Sequence, residues 1–159
     1  YVILSFQFRS YAEPLIVMLA IPLAFVGALW GHVLLGWYIS MPSLIGAASL
    51  AGIVVNDSIL LIQFIKENRR NGVGAMVAAG QASRDRLRAI VITSTTTIAG
   101  LLPLLAETSV QSASIKPLVI SVVFGLLTTT VLVLVIIPAI YVLFDDWGWT
   151  RVEPAQEEQ

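Results

Sequence analysis

Residues 42–66 read Pro-Ser-Leu-Ile-Gly-Ala-Ala-Ser-Leu-Ala-Gly-Ile-Val-Val-Asn-Asp-Ser-Ile-Leu-Leu-Ile-Gln-Phe-Ile-Lys. Between Pro42 and Lys66 the single charged side chain is Asp57. A helix of about 20 apolar residues crosses a hydrocarbon core roughly 30 Å thick, so this stretch reads as a membrane helix. Three further windows have the same character, at about 14–35, 87–105 and 117–144. The whole chain agrees, with 57% hydrophobic and 12% charged residues. A soluble domain carries roughly 45–50% apolar and about 25% charged residues. The chain opens at Tyr1 within an apolar run and has neither an initiator Met nor a signal peptide, so Tyr1–Phe8 reads as the end of an earlier helix of a longer protein. The expected fold is all-α: a polytopic transmembrane helix bundle of four complete helices plus the end of a preceding one.

The expected organisation is a truncated helix over 1–9, a transmembrane domain over 10–144 and a tail over 145–159. Pro14 suits a helix start and Pro22 lies inside the first span. If the helices alternate, Arg9, Lys66, Arg69, Arg70, Arg84, Arg86, Arg88 and Arg151 fall on one side and Lys116 on the other. The positive-inside rule makes the first side, and both termini, cytoplasmic. The outward turns, Gly36–Met41 and Ala106–Lys116, are too short to form a domain. The basic connector over 67–86 encloses small residues and reads as a short helix lying at the cytoplasmic interface. The acidic stretch Glu153–Gln159 reads as a solvated, disordered end. Trp30, Trp37, Tyr38, Trp147 and Trp149 fall near predicted interfaces, as an aromatic belt would. The absence of cysteine excludes disulfides and thiolate metal sites, and a net charge of −1 gives no reason to expect nucleic acid.

A charge at the bilayer centre costs at least ~2.5–3.5 kcal/mol on insertion scales. Asp57 lies nine residues inward of Lys66, about 13–14 Å along a helix axis, and so close to the midplane. A carboxylate has no structural reason to sit there, which makes Asp57 a candidate titratable group. Asn56 precedes it, and Ala48, Gly52 and Asn56 recur at four-residue steps that let backbones approach closely. On the third helix Thr93, Thr96, Thr97 and Gly100 share one face at matching depth. The simplest packing sets that stripe against Asn56 and Asp57. Such groups also serve as plain interhelical glue, at about 0.6 kcal/mol each, so glue and function both stay open for Asn56 and the threonines. His32, the one histidine, reads as a packed residue, and Arg86 and Arg88 read as interfacial anchors.

Four motifs in order carry a resemblance: Gly52 to Phe64, Arg86 to Ser94 (Arg-Leu-Arg-Ala-Ile-Val-Ile-Thr-Ser), Gly100-Leu-Leu-Pro103-Leu and Ile137 to Phe144. Together they resemble the final four helices of resistance-nodulation-division (RND) exporters of the AcrB/AcrD/AcrF type. The resemblance implies substrate/proton antiport in the bacterial inner membrane by a homotrimer, with the upstream half of the same transporter beside this one. It also implies a periplasmic adaptor and an outer-membrane channel as partners, and no cofactor. In the best-known drug exporters of the family, paired aspartates of the first half interact with a lysine here and with a Thr and an Arg of the next helix. Thr93 and Arg86 match the latter two, and Thr97 lies one turn beyond Thr93. The lysine position falls on Asn56, and Asp57 stands where those proteins usually have an amide. The relay so implied involves Asp57, Asn56, Thr93, Arg86 and Thr97, and works through a neutral partner or through Asp57 itself.

Two other classes compete. A non-catalytic membrane assembly module would use the polar residues for helix packing alone. An intramembrane enzyme would need two carboxylates at depth, where this chain has one, or a Ser–His or Ser–Lys dyad, for which His32 has no evident partner in the sequence. The upstream region would carry the determinants of substrate class.

Overall fold

The computed structural model describes residues 1–8 and 10–149. Among them five helices follow in chain order: α1 (Val2–Phe8), α2 (Ala12–Leu35), α3 (Met41–Arg70), α4 (Ala75–Ala106) and α5 (Val110–Asp146). None of the described residues forms a strand. α2 to α5 are each long and apolar enough to cross a membrane. The chain is an all-α, multi-pass membrane bundle. Arg9, Arg151 and the acidic stretch read as a disordered end lie outside the described residues.

Local chemistry sets the helix ends. α2 stops at Gly36, whose φ of 66° is left-handed and costs a glycine little. α3 opens with Ser40 and Ser43 in a reciprocal capping box and Pro42 in its first turn. α5 differs from expectation by starting at Val110 rather than Pro117. The Ser109 side chain accepts from the Ser112 N–H and caps the helix a full turn and more before the proline.

α4 departs furthest from the sequence reading. The segment read as an interfacial connector helix instead runs straight into the third span, giving one helix of 32 residues. Ala78, Ala79 and Ala82 are buried in the main apolar cluster, which also holds Ile62, Ile65, Ile137 and Tyr141. Their small side chains keep α4 close to its neighbours beyond the membrane, and no proline interrupts the path; Gly80 alone costs a helix only about 1 kcal/mol. At ~1.5 Å per residue the 32 residues reach about 48 Å, so the stretch before Arg86 projects past a core roughly 30 Å thick.

α5 is the central element and packs against α2, α3 and α4. Small residues permit this. A Cβ added to Gly46 of α3 would lie 2.5 Å from the Leu118 carbonyl oxygen, and one added to Gly125 of α5 would collide with the Leu50 side chain. Such close approach replaces the hydrophobic drive that is missing between helices in lipid.

Charges tie one end of the bundle. Lys66 Nζ lies 2.9 Å from the Glu13 carboxylate and donates to the Phe8 carbonyl at 2.9 Å, joining α3 to α2 and α1. Arg69 pairs with Asp145, joining α3 to α5. The Glu13 side chain is 3% exposed, so its charge depends on Lys66. Lys66→Met should therefore destabilise the chain by roughly 3 kcal/mol, the low end for breaking a buried pair. The double variant Glu13→Gln/Lys66→Met should recover most of that loss. Thermal unfolding in detergent checks both, and a harmless Lys66→Met would show that Glu13 does not need its partner.

Candidate functional site

α4 turns one row of side chains inward at four-residue steps: Ala78, Ala82, Arg86, Ile90, Ser94 and Ile98. Ala78, Ala82, Ile90 and Ser94 are buried, and Arg86 and Ile98 are half-buried. Thr93, Thr96, Thr97 and Gly100 lie outside this row and are exposed. On α3, Ala48, Gly52 and Asn56 are exposed as well. The expected packing of the threonine stripe against Asn56 is thus overturned. Periodicity shows which residues share a face, but here two adjacent rows compete for the interior, and the row of alanines and isoleucines takes it.

The threonine hydroxyls look after themselves. Thr93 Oγ1 donates within its own helix to Ala89 O or Ile90 O, Thr96 to Ile92 O at 2.8 Å, and Thr97 to Thr93 O at 2.9 Å. Asn56 has no such recourse, and among the described residues its amide makes no hydrogen bond. An exposed, unbonded amide near the midplane is costly against lipid.

Asp57 faces a different direction. It is half-buried and lines a crevice with Val54, Ile90, Thr129, Thr130 and Val133, too narrow to admit water. Its carboxylate has no ion pair or hydrogen bond among the described residues. Arg86 is the cation that acts on it electrostatically. That guanidinium stacks over the Phe64 ring of α3 at 3.8 Å from the centroid, and its buried Nε has no partner. A cation–π contact of this kind holds the charge against α3. Of the five candidate residues, Asp57 and Arg86 lie toward the bundle, while Asn56, Thr93 and Thr97 lie on its uncovered surface.

His32 is buried, as expected, but it does have a partner. Nε2 lies 2.8 Å from Ser43 Oγ and Nδ1 lies 2.9 Å from Ala28 O. A carbonyl only accepts, so Nδ1 carries the hydrogen and, in the neutral ring, Nε2 accepts from Ser43. Ser121 of α5 donates to the Ser43 carbonyl at 2.9 Å. Both His32 and Ser43 are 3% exposed, so the pair fastens α2, α3 and α5 at the end opposite Lys66 and is closed to a substrate. The sequence reading also passed over Glu13, Thr129 and Thr130. A carboxylate beside Pro14 and a lysine 53 residues later gave a signal only through their shared end of the bundle.

A multi-pass bundle that leaves a polar face bare at membrane depth has a surface suited to further membrane helices. The AcrB/AcrD/AcrF family profile matches residues 1–145, and the chain belongs to that family of efflux transporters. Among solved structures it is similar to a heavy metal efflux pump determined by X-ray crystallography, with a TM-score of 0.77 and 31% sequence identity. That match covers 84% of this chain and 14% of the pump, so the chain spans a small part of the pump's length.

The uncovered face predicts an asymmetry among glycines. A Cβ at Gly52 or Gly100 would meet nothing within 4 Å, whereas one at Gly46 meets backbone. In this chain Gly52→Leu and Gly100→Leu should stay within about 0.5 kcal/mol of the parent. Gly46→Leu should lose about 1–3 kcal/mol by overpacking. Thermal unfolding of the purified chain in detergent measures all three, and equal losses at Gly46 and Gly52 would mean that the α3 face is covered.

Proposed function

We propose that this chain forms one side of the intramembrane proton relay of an RND-type export pump, which exchanges substrate for protons across the bacterial inner membrane. What carries the reading is one juxtaposition at mid-depth: Asp57, half-buried and without a salt-bridge partner, beside the bare and unbonded Asn56. The upstream half of the same transporter is the partner whose helices cover Asn56, Thr93, Thr97 and Gly100. Asp57 is the proton carrier, and Asn56 and Thr93 offer neutral hydrogen-bonding groups to carboxylates of that half. Thr97 extends the same surface, and Arg86, parked on Phe64, supplies a positive charge that acts on Asp57. The pump works as a homotrimer, with a periplasmic adaptor and an outer-membrane channel beyond the membrane.

The self-satisfied hydroxyls of Thr93, Thr96 and Thr97 favour a second reading, in which this face only packs against a neighbour. Asp57→Asn separates the two. The amide keeps the shape and the hydrogen-bonding capacity but carries no titratable proton. In the full-length pump it should leave insertion and trimer assembly intact and lower proton-driven export at least tenfold. Export at the parent rate under the same proton gradient would remove Asp57 from the relay.

In this reading both termini are cytoplasmic, because eight of the nine basic residues fall on one side. Thr108 and Asn71 are exposed at opposite ends of α4. A cysteine at position 108 should react with an impermeant maleimide in intact spheroplasts, and one at position 71 only after permeabilisation. The reverse pattern would invert the topology.

A further inference from the structure

α5 carries no residue of the relay as drawn above, yet it supplies most of the wall that Asp57 faces. The crevice brings Thr129, Thr130 and Val133 of α5 opposite Val54 and Asp57 of α3 and Ile90 of α4. The crevice is too narrow for water, and the hydroxyls that line it are those of Thr129 and Thr130. Thr129 is buried and its hydroxyl is turned to its own helix, with Gly125 O at 2.8 Å and Leu126 O at 3.2 Å. Thr130 is placed differently. Its Oγ1 lies 2.7 Å from Ser94 Oγ on α4 and 2.7 Å from Leu126 O, and one hydroxyl hydrogen can serve only one acceptor at a time. Ser94 is buried, and its own hydrogen can point to Thr130 instead. The hydrogen of Thr130 is then released to turn toward the crevice.

We infer that Thr130, backed by Ser94, is a positioning residue for Asp57: its hydroxyl donates to the ionised carboxylate and turns back to Ser94 or Leu126 when Asp57 is protonated. The inference rests on the relay reading of Asp57. An ionised carboxylate at membrane depth needs donors, and hydrogen bonds to charged groups are the strong ones. The Ser94–Thr130 pair meets that need by redirecting two hydroxyl hydrogens while the Asp57 carboxylate, which makes no hydrogen bond in this structure, swings across the narrow crevice to Thr130. No covalent bond forms or breaks beyond that of the proton Asp57 takes up or gives away. The charged group facing Asp57 from α4 is Arg86, and α5 brings no charged group to the crevice.

The test is an infrared titration of the full-length pump in lipid, with the Asp57 carboxyl band isolated by subtracting the Asp57→Asn variant. Thr130→Val keeps the shape and removes the hydroxyl. It should move the midpoint of the band about one pH unit higher, a tenfold change in protonation, because the ionised form has lost a donor. Thr130→Ser should restore the parent midpoint, which a role in packing alone would not require. Ser94→Ala should move it the same way by less, and serves in place of Thr130→Val if that variant fails to fold. An unmoved midpoint in Thr130→Val, or in Ser94→Ala where that stands in, overturns the inference. So does a parent protein with no Asp57 band titrating between about pH 4 and pH 9. An unmoved midpoint with export abolished in Asp57→Asn would sink only the role of Thr130. Undiminished export in Asp57→Asn would instead sink the relay reading itself.

Discussion

Hydrocarbon offers a polar group no water to fall back on, and this one constraint orders the bundle. The backbone meets it by staying helical through each span. Hydroxyls meet it by bonding their own helix: Ser49, Ser58, Thr96, Thr97 and Thr129 each donate to the carbonyl four residues earlier. Charges meet it by withdrawing to the helix ends, where Glu13 finds Lys66 and Arg69 finds Asp145. Asn56 and Asp57 do none of these, and they are consecutive. Among the described residues they are two neighbouring polar side chains without a hydrogen bond in the middle of one span.

The spans were legible because length and apolarity are what a membrane tests. α2 and α3 lie close to their expected limits, with Gly36, Ser40 and Pro42 giving the stops and starts that their chemistry demands. The continuity of α4 was not legible. A basic, small-residue stretch looks interfacial in isolation, and only the facing surfaces of α3 and α5 show that Ala78, Ala79 and Ala82 are a packing face. The candidate site was half legible. Depth and residue type marked Asp57, Asn56 and the threonines, but orientation depended on which of two adjacent rows on α4 faced inward. The partner of His32 was hidden because Ser43 lies on another helix, across the turn that follows Gly36.

The ties between helices are unevenly shared. α2, α3 and α5 are fastened at both ends, by His32, Ser43 and Ser121 at one and by Lys66 and Arg69 with their carboxylates at the other. α4 has lighter attachments: Asn68 to the Ala78 carbonyl, Ser83 to the Leu134 carbonyl, and the Ser94–Thr130 pair. Of its 32 residues only Ala78, Ala79, Ala82, Ile90 and Ser94 are buried. Of the four long helices, the one that bears the uncovered threonines is therefore the least committed to this bundle.

The division of α4 between a buried seam and a bare surface gives its numbering a physical meaning. Thr93 and Ser94 are consecutive, so their side chains are about 100° apart around the axis. One belongs to the bare surface and the other to the seam with α5. Asn56 and Asp57 repeat the arrangement on α3, with the amide outside and the carboxylate turned toward the seam. Two adjacent pairs on adjacent helices thus put a polar group on each side of the same wall at the same depth. In the proposed relay, a proton gained or lost at Asp57 would change the charge behind Asn56 and Thr93, within a residue of the surface where the second half would lie. The hydrogen bonds that surface can offer would then depend on a group that the second half need not touch.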